Sequence, residues 1–239
     1  MSELERFGCE HDGLALEGLV AKPEGQGPFP TVIVMHSALG LRHQVHGTAT
    51  RLAALGYLAV ATDMYGAEIQ AGGQEATGEA YMRFHENPAL LRERVVTWFR
   101  AVAARPDVDA SRIAAVGYCF GGWCVLELAR SGVDVKAVVS YHGILTTHAP
   151  ARKGEVNCEV VAYCGALDPY APLDTIDALR QELTNAGARY TITTFGAAAH
   201  SFTDPDAAAM GMPGIAYNAI ADRLSWAGTE ALLEATLRR

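Results

Sequence analysis

The sequence predicts an α/β fold: a mostly parallel, doubly wound sheet with helices on both faces. Three observations predict it. Short runs of β-branched and apolar residues recur along the chain, segments of helical periodicity separate them, and the runs are continuously apolar rather than alternating. Strands buried on both faces need that last property. With 239 residues, half of them apolar, the chain can bury a sizeable core, and one domain spanning 1-239 is expected.

The elements follow in order. Leu14 to Lys22 alternates loosely and ends at the turn signal Pro23-Glu24-Gly25, so an antiparallel strand or hairpin opens the chain. Thr31-Val32-Ile33-Val34-Met35 is the first continuous β-branched run. Leu58 to Thr62, Ile113 to Val116, Val135 to Ser140 and Val160 to Tyr163 repeat the pattern, with Tyr190 to Thr194 as the final strand. Between them, Val45 to Leu55 has helical spacing and stops at Gly56. Glu79 to Ala104 is long and amphipathic, interrupted at Asn87-Pro88. Gly122 to Arg130, Leu173 to Asn185 and Tyr217 to Leu237 supply three more helices. The polar stretch Gly66 to Gly78 reads as a surface loop. No linker, internal repeat or low-complexity tract divides the chain.

Charge and cysteines bound the function. Nineteen Lys and Arg against 27 Asp and Glu leave a formal charge of −8, which argues against nucleic acid or an anionic membrane as a bulk partner. No apolar run approaches the roughly 18 residues of a membrane span, and the N-terminal residues lack the apolar core of a secretory signal. Five cysteines, an odd number, read as free thiols in a reducing compartment, so the cytoplasm is expected.

The strand Ile113 to Val116 runs into Gly117-Tyr118-Cys119-Phe120-Gly121-Gly122 and then into a helix. This is the strand–turn–helix setting of a nucleophile elbow, which places the chain among α/β-hydrolases. A nucleophile there sits on a strained turn, and small residues two positions to either side let neighbouring backbone pass. Gly117 and Gly121 occupy those positions. The Phe120 amide, at the start of the helix, favours both a thiolate and a developing oxyanion. A buried structural cysteine is the bland alternative. The strand before Cys119 and the helix after it favour the functional reading. Neither a dinucleotide fingerprint nor a C-x-x-C redox pair is present.

In this architecture the acid and then the histidine follow the nucleophile. Asp168 lies just after the strand Val160 to Tyr163, at the sheet edge that carries Cys119. Asp174 and Asp177 fall within the next helix. His200 follows the last strand on the small-residue loop Gly196 to Ala199. His11, His142 and His148 all precede the acid. His36, His43 and His46 lie close in sequence, but without a Cys, Asp or Glu pattern they are a thin basis for zinc, so no metal and no cofactor is expected. The second oxyanion donor belongs on the loop after the first core strand, His36 to Gly40, with the Ala38 amide as first choice and Leu39 as the fallback.

Taken together, these motifs resemble the dienelactone hydrolase family. The resemblance rests on Gly117 to Gly122, on Gly165-Ala166-Leu167-Asp168, and on Gly196 to Phe202 with its His200-Ser201-Phe202. The strand Thr31 to Val34 with its Gly40 loop corresponds too, as does Thr62-Asp63-Met64-Tyr65, and the likeness spans about residues 12 to 237. It implies Cys119 as nucleophile, His200 as base, Asp168 as orienting acid and oxyanion donors at Phe120 and Ala38. It also suggests substrate contacts at Ser37, Leu39, Tyr65, Arg83 and Phe202. Two positions depart from the best-studied branch of the family. Ser37 stands where a glutamate helps control the cysteine, and Asp204 stands where an arginine binds the substrate's carboxylate. The expected activity is hydrolysis of a small-molecule ester or lactone through an acyl-thioester. A broader carboxylesterase or thioesterase, and a non-enzymatic thiol sensor on the same scaffold, are the competing readings.

Overall fold

A computed structural model describes residues 4–238. At one edge of its sheet, β1 (Glu5–His11) and β2 (Leu14–Ala21) form an antiparallel hairpin. The strands β3 (Phe29–Met35), β4 (Leu58–Thr62), β5 (Val108–Tyr118), β6 (Ala137–Tyr141), β7 (Glu159–Gly165) and β8 (Arg189–Phe195) all run parallel. The eight strands lie in the order β1-β2-β4-β3-β5-β6-β7-β8, with β2 antiparallel to β4.

The continuous apolar runs are strands with two buried faces. In β3, Val32 and Val34 enter one core layer while Ile33 and Met35 enter the other, and all four are fully buried. One layer is closed by α1 (His43–Ala54) and α7 (Ala219–Leu237) through Val45, Leu52, Trp226 and Leu233. The other is closed by α3 (Gly73–Glu86), α4 (Pro88–Ala103), α5 (Phe120–Arg130) and α6 (Leu173–Ala186), which bring in Phe84, Trp98, Val125 and Leu179. Among the described residues no helix is long and apolar enough to cross a membrane.

The predicted break at Asn87-Pro88 is real: the Asn87 side chain caps α4 by accepting from the Leu90 amide at 3.4 Å, and Pro88 takes the first helical position. The expected loop at Gly66 to Gly78 is instead largely helical, with a short α2 (Ala67–Ala71) followed by the first half of α3. Its polar residues form the solvent side of an amphipathic helix whose other side buries Thr77, Ala80 and Phe84. Gly66 and Gly73, at the starts of α2 and α3, have φ of 102° and 80°.

Helix α5 is buried along its whole length, Glu127 and Arg130 included. Their charges are paired: Arg130 donates to Glu127 at 2.9 Å and to both Glu182 oxygens at 2.8 Å, and Arg92 donates to Glu127 at 2.7 Å. Removing Glu127 leaves Arg92 without a carboxylate and the buried Arg130 with Glu182 alone. Glu127→Ala is therefore expected to lower the unfolding free energy by about 3–5 kcal/mol in a urea titration; an unchanged urea midpoint would contradict the assignment.

Candidate active site

Parallel strands bring their carboxyl ends to one edge, and the candidate residues collect there. Cys119 links β5 to α5 with φ 55° and ψ −113°, a conformation costly for any residue with a Cβ. The turn is held by the Cys119 amide donating to the Tyr141 carbonyl at 3.0 Å. Space is equally restricted. A Cβ on Gly117 would collide with the Gly121 carbonyl, one on Gly121 with the Met35 carbonyl, and one on Gly122 would lie 2.6 Å from the Gly143 Cα. The glycines flanking Cys119 are therefore required by neighbouring backbone on both sides.

Asp168 and His200 are buried beside it, at 3% and 4% exposure. His200 Nδ1–H donates to Asp168 Oδ2 at 2.8 Å, which leaves Nε2 to face the thiol; the other carboxylate oxygen accepts from the Tyr170 amide at 2.8 Å. The backbone of His200 is itself fixed, donating to Gly214 and accepting from Ala216. Burial by itself would raise the Cys119 pKa. The His200 charge and hydrogen bond outweigh it, joined by the Ala38 and Phe120 amides directed at the sulfur, and hold the thiol below its ordinary value. In the same way burial would depress His200, but the Cys119 charge and the bond to Asp168 raise it to about 10. The other four cysteines behave oppositely. Burial pushes Cys9 up to about 11, Cys158 and Cys164 up to about 12, and Cys124 well above the ordinary range.

The loop after β3 leaves the two candidate amides in different states. Leu39 N–H is occupied by Ser37 Oγ at 3.3 Å, and Gly40 N–H by the Ser37 carbonyl. Ala38 N–H remains free to face the sulfur. His36 anchors the loop from beneath: its Nδ1–H donates to the Ser37 carbonyl at 2.6 Å and its Nε2 accepts from the Met64 amide at 3.0 Å. Both ring nitrogens are thus engaged, so His36 has no lone pair to offer a metal. Next to it Asp63, fully buried, accepts from the Tyr65 and Gly66 amides and from Gln70, each at 2.8 Å.

The cavity above Cys119 has a volume of about 190 Å³. Ser37, Ala38, Leu39 and His200 line it. Three expected contacts are corrected. Tyr65 is buried below the loop, where its hydroxyl donates to the Ala38 carbonyl at 3.1 Å and its ring stacks on Phe120. Phe202 is fully buried and packs edge-on against His142 and Phe195. Arg83 is exposed on α3, about 200° around the helix from Tyr81, which does line the cavity. Sequence reasoning missed Tyr81, Ile144, Tyr170, Met210, Met212 and Ile215, which complete the walls. The register of α3 brings Tyr81 there, the loops after β6 and β7 bring Ile144 and Tyr170, and the segment after His200 brings the other three. His142, set aside for its position in the chain, lies edge-on to His200 with ring centroids 5.2 Å apart and bonds Thr203 Oγ1 at 2.8 Å. A larger groove of about 860 Å³ beside α4 contains Arg92, Arg130 and Arg152, all paired with glutamates, and none of the three candidate catalytic residues.

Comparison with known proteins agrees with this geometry. A family model described as the dienelactone hydrolase family matches residues 16–237. The solved structure called m3DLH superposes with a TM-score of 0.90 at 33% identity, covering 98% of both chains. A dienelactone hydrolase-like promiscuous phosphotriesterase, P91, from metagenomic libraries superposes with a TM-score of 0.89 at 32% identity and the same coverage. A Synechocystis protein provisionally named a carboxymethylenebutenolidase is 24% identical over 95% of each chain. With its strand order, its turn and its overall superposition in agreement, the chain belongs to the dienelactone hydrolase family.

Proposed function

We propose that this hydrolase cleaves carboxylic esters or lactones through an acyl-thioester on Cys119. The observation that carries the reading is one constellation. A thiol held below its ordinary pKa faces an imidazole raised to about 10, and that imidazole bonds a buried carboxylate at 2.8 Å. Between those two pKa values the resting pair is thiolate and imidazolium.

The Cys119 sulfur attacks the carbonyl carbon, a C–S bond forms, and the carbonyl electron pair moves onto oxygen. The Ala38 and Phe120 amides stabilise that oxyanion, each such donor contributing about 2.7–4 kcal/mol. As the intermediate collapses, His200 Nε2–H gives its proton to the departing alkoxide. His200 then takes a proton from water, whose oxygen attacks the thioester; the C–S bond breaks, the acid leaves, and the ion pair is restored. Asp168 keeps the proton on Nδ1 throughout and stabilises the imidazolium. Thioesters yield readily to water, whereas an amide demands more help for its amine, so esters and lactones are favoured over peptides. The free thiols, and cavity walls without lysine, arginine, aspartate or glutamate, support a small-molecule substrate met in a reducing cytoplasm.

A second reading has one specific support: 32% identity to P91 over nearly the whole chain. Attack of the same thiolate on the phosphorus of an uncharged phosphotriester, with expulsion of an aryloxide, needs no additional group. Paraoxon turnover, followed by p-nitrophenol release and abolished in Cys119→Ala, tests it.

For the principal reading, Cys119→Ala should reduce p-nitrophenyl acetate turnover by about 10⁶-fold and Asp168→Asn by about 10⁴-fold, with a Cys119-linked acetyl mass trapped in rapid-quench mass spectrometry. Full esterase turnover in Cys119→Ala would sink the assignment; stoichiometric labelling of Cys119 without turnover of any activated ester would favour the thiol-sensor reading. The pH dependence has a fixed sign. Iodoacetamide alkylation of Cys119 should rise with pH to a midpoint below the ordinary thiol value of about 8.5. In His200→Ala that midpoint should move upward, because burial is then opposed only by the Ala38 and Phe120 amides. An unmoved midpoint would show that His200 does not set the charge of the thiol.

A further inference from the structure

Resting on the Cys119 reading, we infer that the substrate half seated in this site is uncharged and about the size of one six-membered ring. The first support is volume. The cavity holds about 190 Å³, and a dry apolar cavity of about 150 Å³ accommodates benzene. A ring with one or two small substituents fills it.

The second support is the chemistry of the walls. Ile144, Met210, Met212 and Ile215 supply apolar surface, and Tyr81 and Tyr170 supply rings. No lysine, arginine, aspartate or glutamate lines the cavity. Burial pushes the Tyr81 phenol up, so it stays neutral, and Ser37 Oγ, which accepts from the Leu39 amide, offers a neutral hydroxyl and no charge. A carboxylate entering here gives up its water, and the one cation it meets, the His200 imidazolium, is already matched by the Cys119 thiolate and the Asp168 carboxylate, both of the substrate's own sign. Neither sequence position with a bearing on carboxylate binding alters this: Arg83 is exposed on another face of α3, and the Asp204 carboxylate accepts from the Asp206 amide at 3.0 Å, outside the cavity lining.

The third support is the mouth. Tyr170 and Met212 remain 43% and 48% exposed while lining the cavity. The remainder of the substrate can therefore extend between them into solvent, and the site selects on one half of the ester only. Aryl esters and small neutral lactones meet these conditions. A lactone carrying a free carboxylate does not.

The experiment compares 4-methylphenyl acetate with 4-acetoxybenzoate, which differ by a methyl against a carboxylate at the same ring position. Phenol release by the unaltered protein at pH 8 should favour the methyl compound by at least about 100-fold in kcat/KM, the scale on which a pocket rejects a group that it cannot solvate. In Met210→Arg, which places a cation in the wall, the ratio should narrow at least tenfold through faster cleavage of the acetoxybenzoate. Comparable rates with the unaltered protein overturn the inference and leave the Cys119 reading standing. Absence of turnover on both esters, or turnover that survives Cys119→Ala, overturns the Cys119 reading and this inference with it.

Discussion

The turn at Cys119 is confined on three sides by backbone, and the rest of the site is arranged around it. The Met35 carbonyl of β3 lies against Gly121, the Gly143 backbone after β6 lies against Gly122, and the Tyr141 carbonyl receives the Cys119 amide. The positive φ of Cys119 is what allows β5 to turn directly into α5 between those neighbours. Phe120 then secures the turn from below. Its ring is fully buried, stacked on Tyr65 and in contact with Phe84 and Tyr81. Tyr65 also holds the Ala38 carbonyl, one peptide beyond the Ala38 amide, so the same aromatic group anchors both segments whose amides face the sulfur. The two donors are linked by packing although they lie 82 residues apart in the chain.

Burial acts on every thiol in this protein, and its sign is the same each time: it disfavours the thiolate. Cys119 differs from the other four because an imidazole and two amides converge on it. His200 in turn depends on Asp168 for its orientation and on the Gly214 and Ala216 backbone for its place. Removing water from the pair strengthens their attraction, while removing either partner leaves a penalty with nothing to offset it. His36 illustrates the contrast. It is as deeply buried, but its nitrogens are saturated by the Ser37 carbonyl and the Met64 amide, and its role is to support the loop.

Much of this was legible in the sequence because it rests on local rules. Continuous β-branched runs gave the parallel strands, and the glycines around Cys119 marked a turn that tolerates no side chains. Asp168 and His200 each follow a strand by a few residues, so strand order alone brought them to Cys119. The cavity walls were not legible. Ile144 and Met212 look like any apolar residue in a sequence, and only the fold decides whether such a side chain meets the core or the substrate. Tyr65 and Phe202 illustrate the converse, since motif neighbourhood suggested contact while packing placed both underneath. The stretch from Gly66 to Gly78 misled through composition: its charged side faces water, and the buried side of α3 is visible only when Thr77, Ala80 and Phe84 are read at helical spacing.

Asp204 carries a consequence for how specificity can change in this family. Where the best-studied branch has an arginine, this chain has a carboxylate that is 7% exposed, and one of its oxygens closes the turn to Asp206 while its own amide bonds Ser201. The residue belongs to the architecture of the segment that carries His200. An arginine substituted here would lose the turn bond and would have to place a longer, charged side chain in a space sized for a short acid. An exchange at position 204 therefore acts on the fold of the loop that carries His200 before it acts on the charge presented to a substrate.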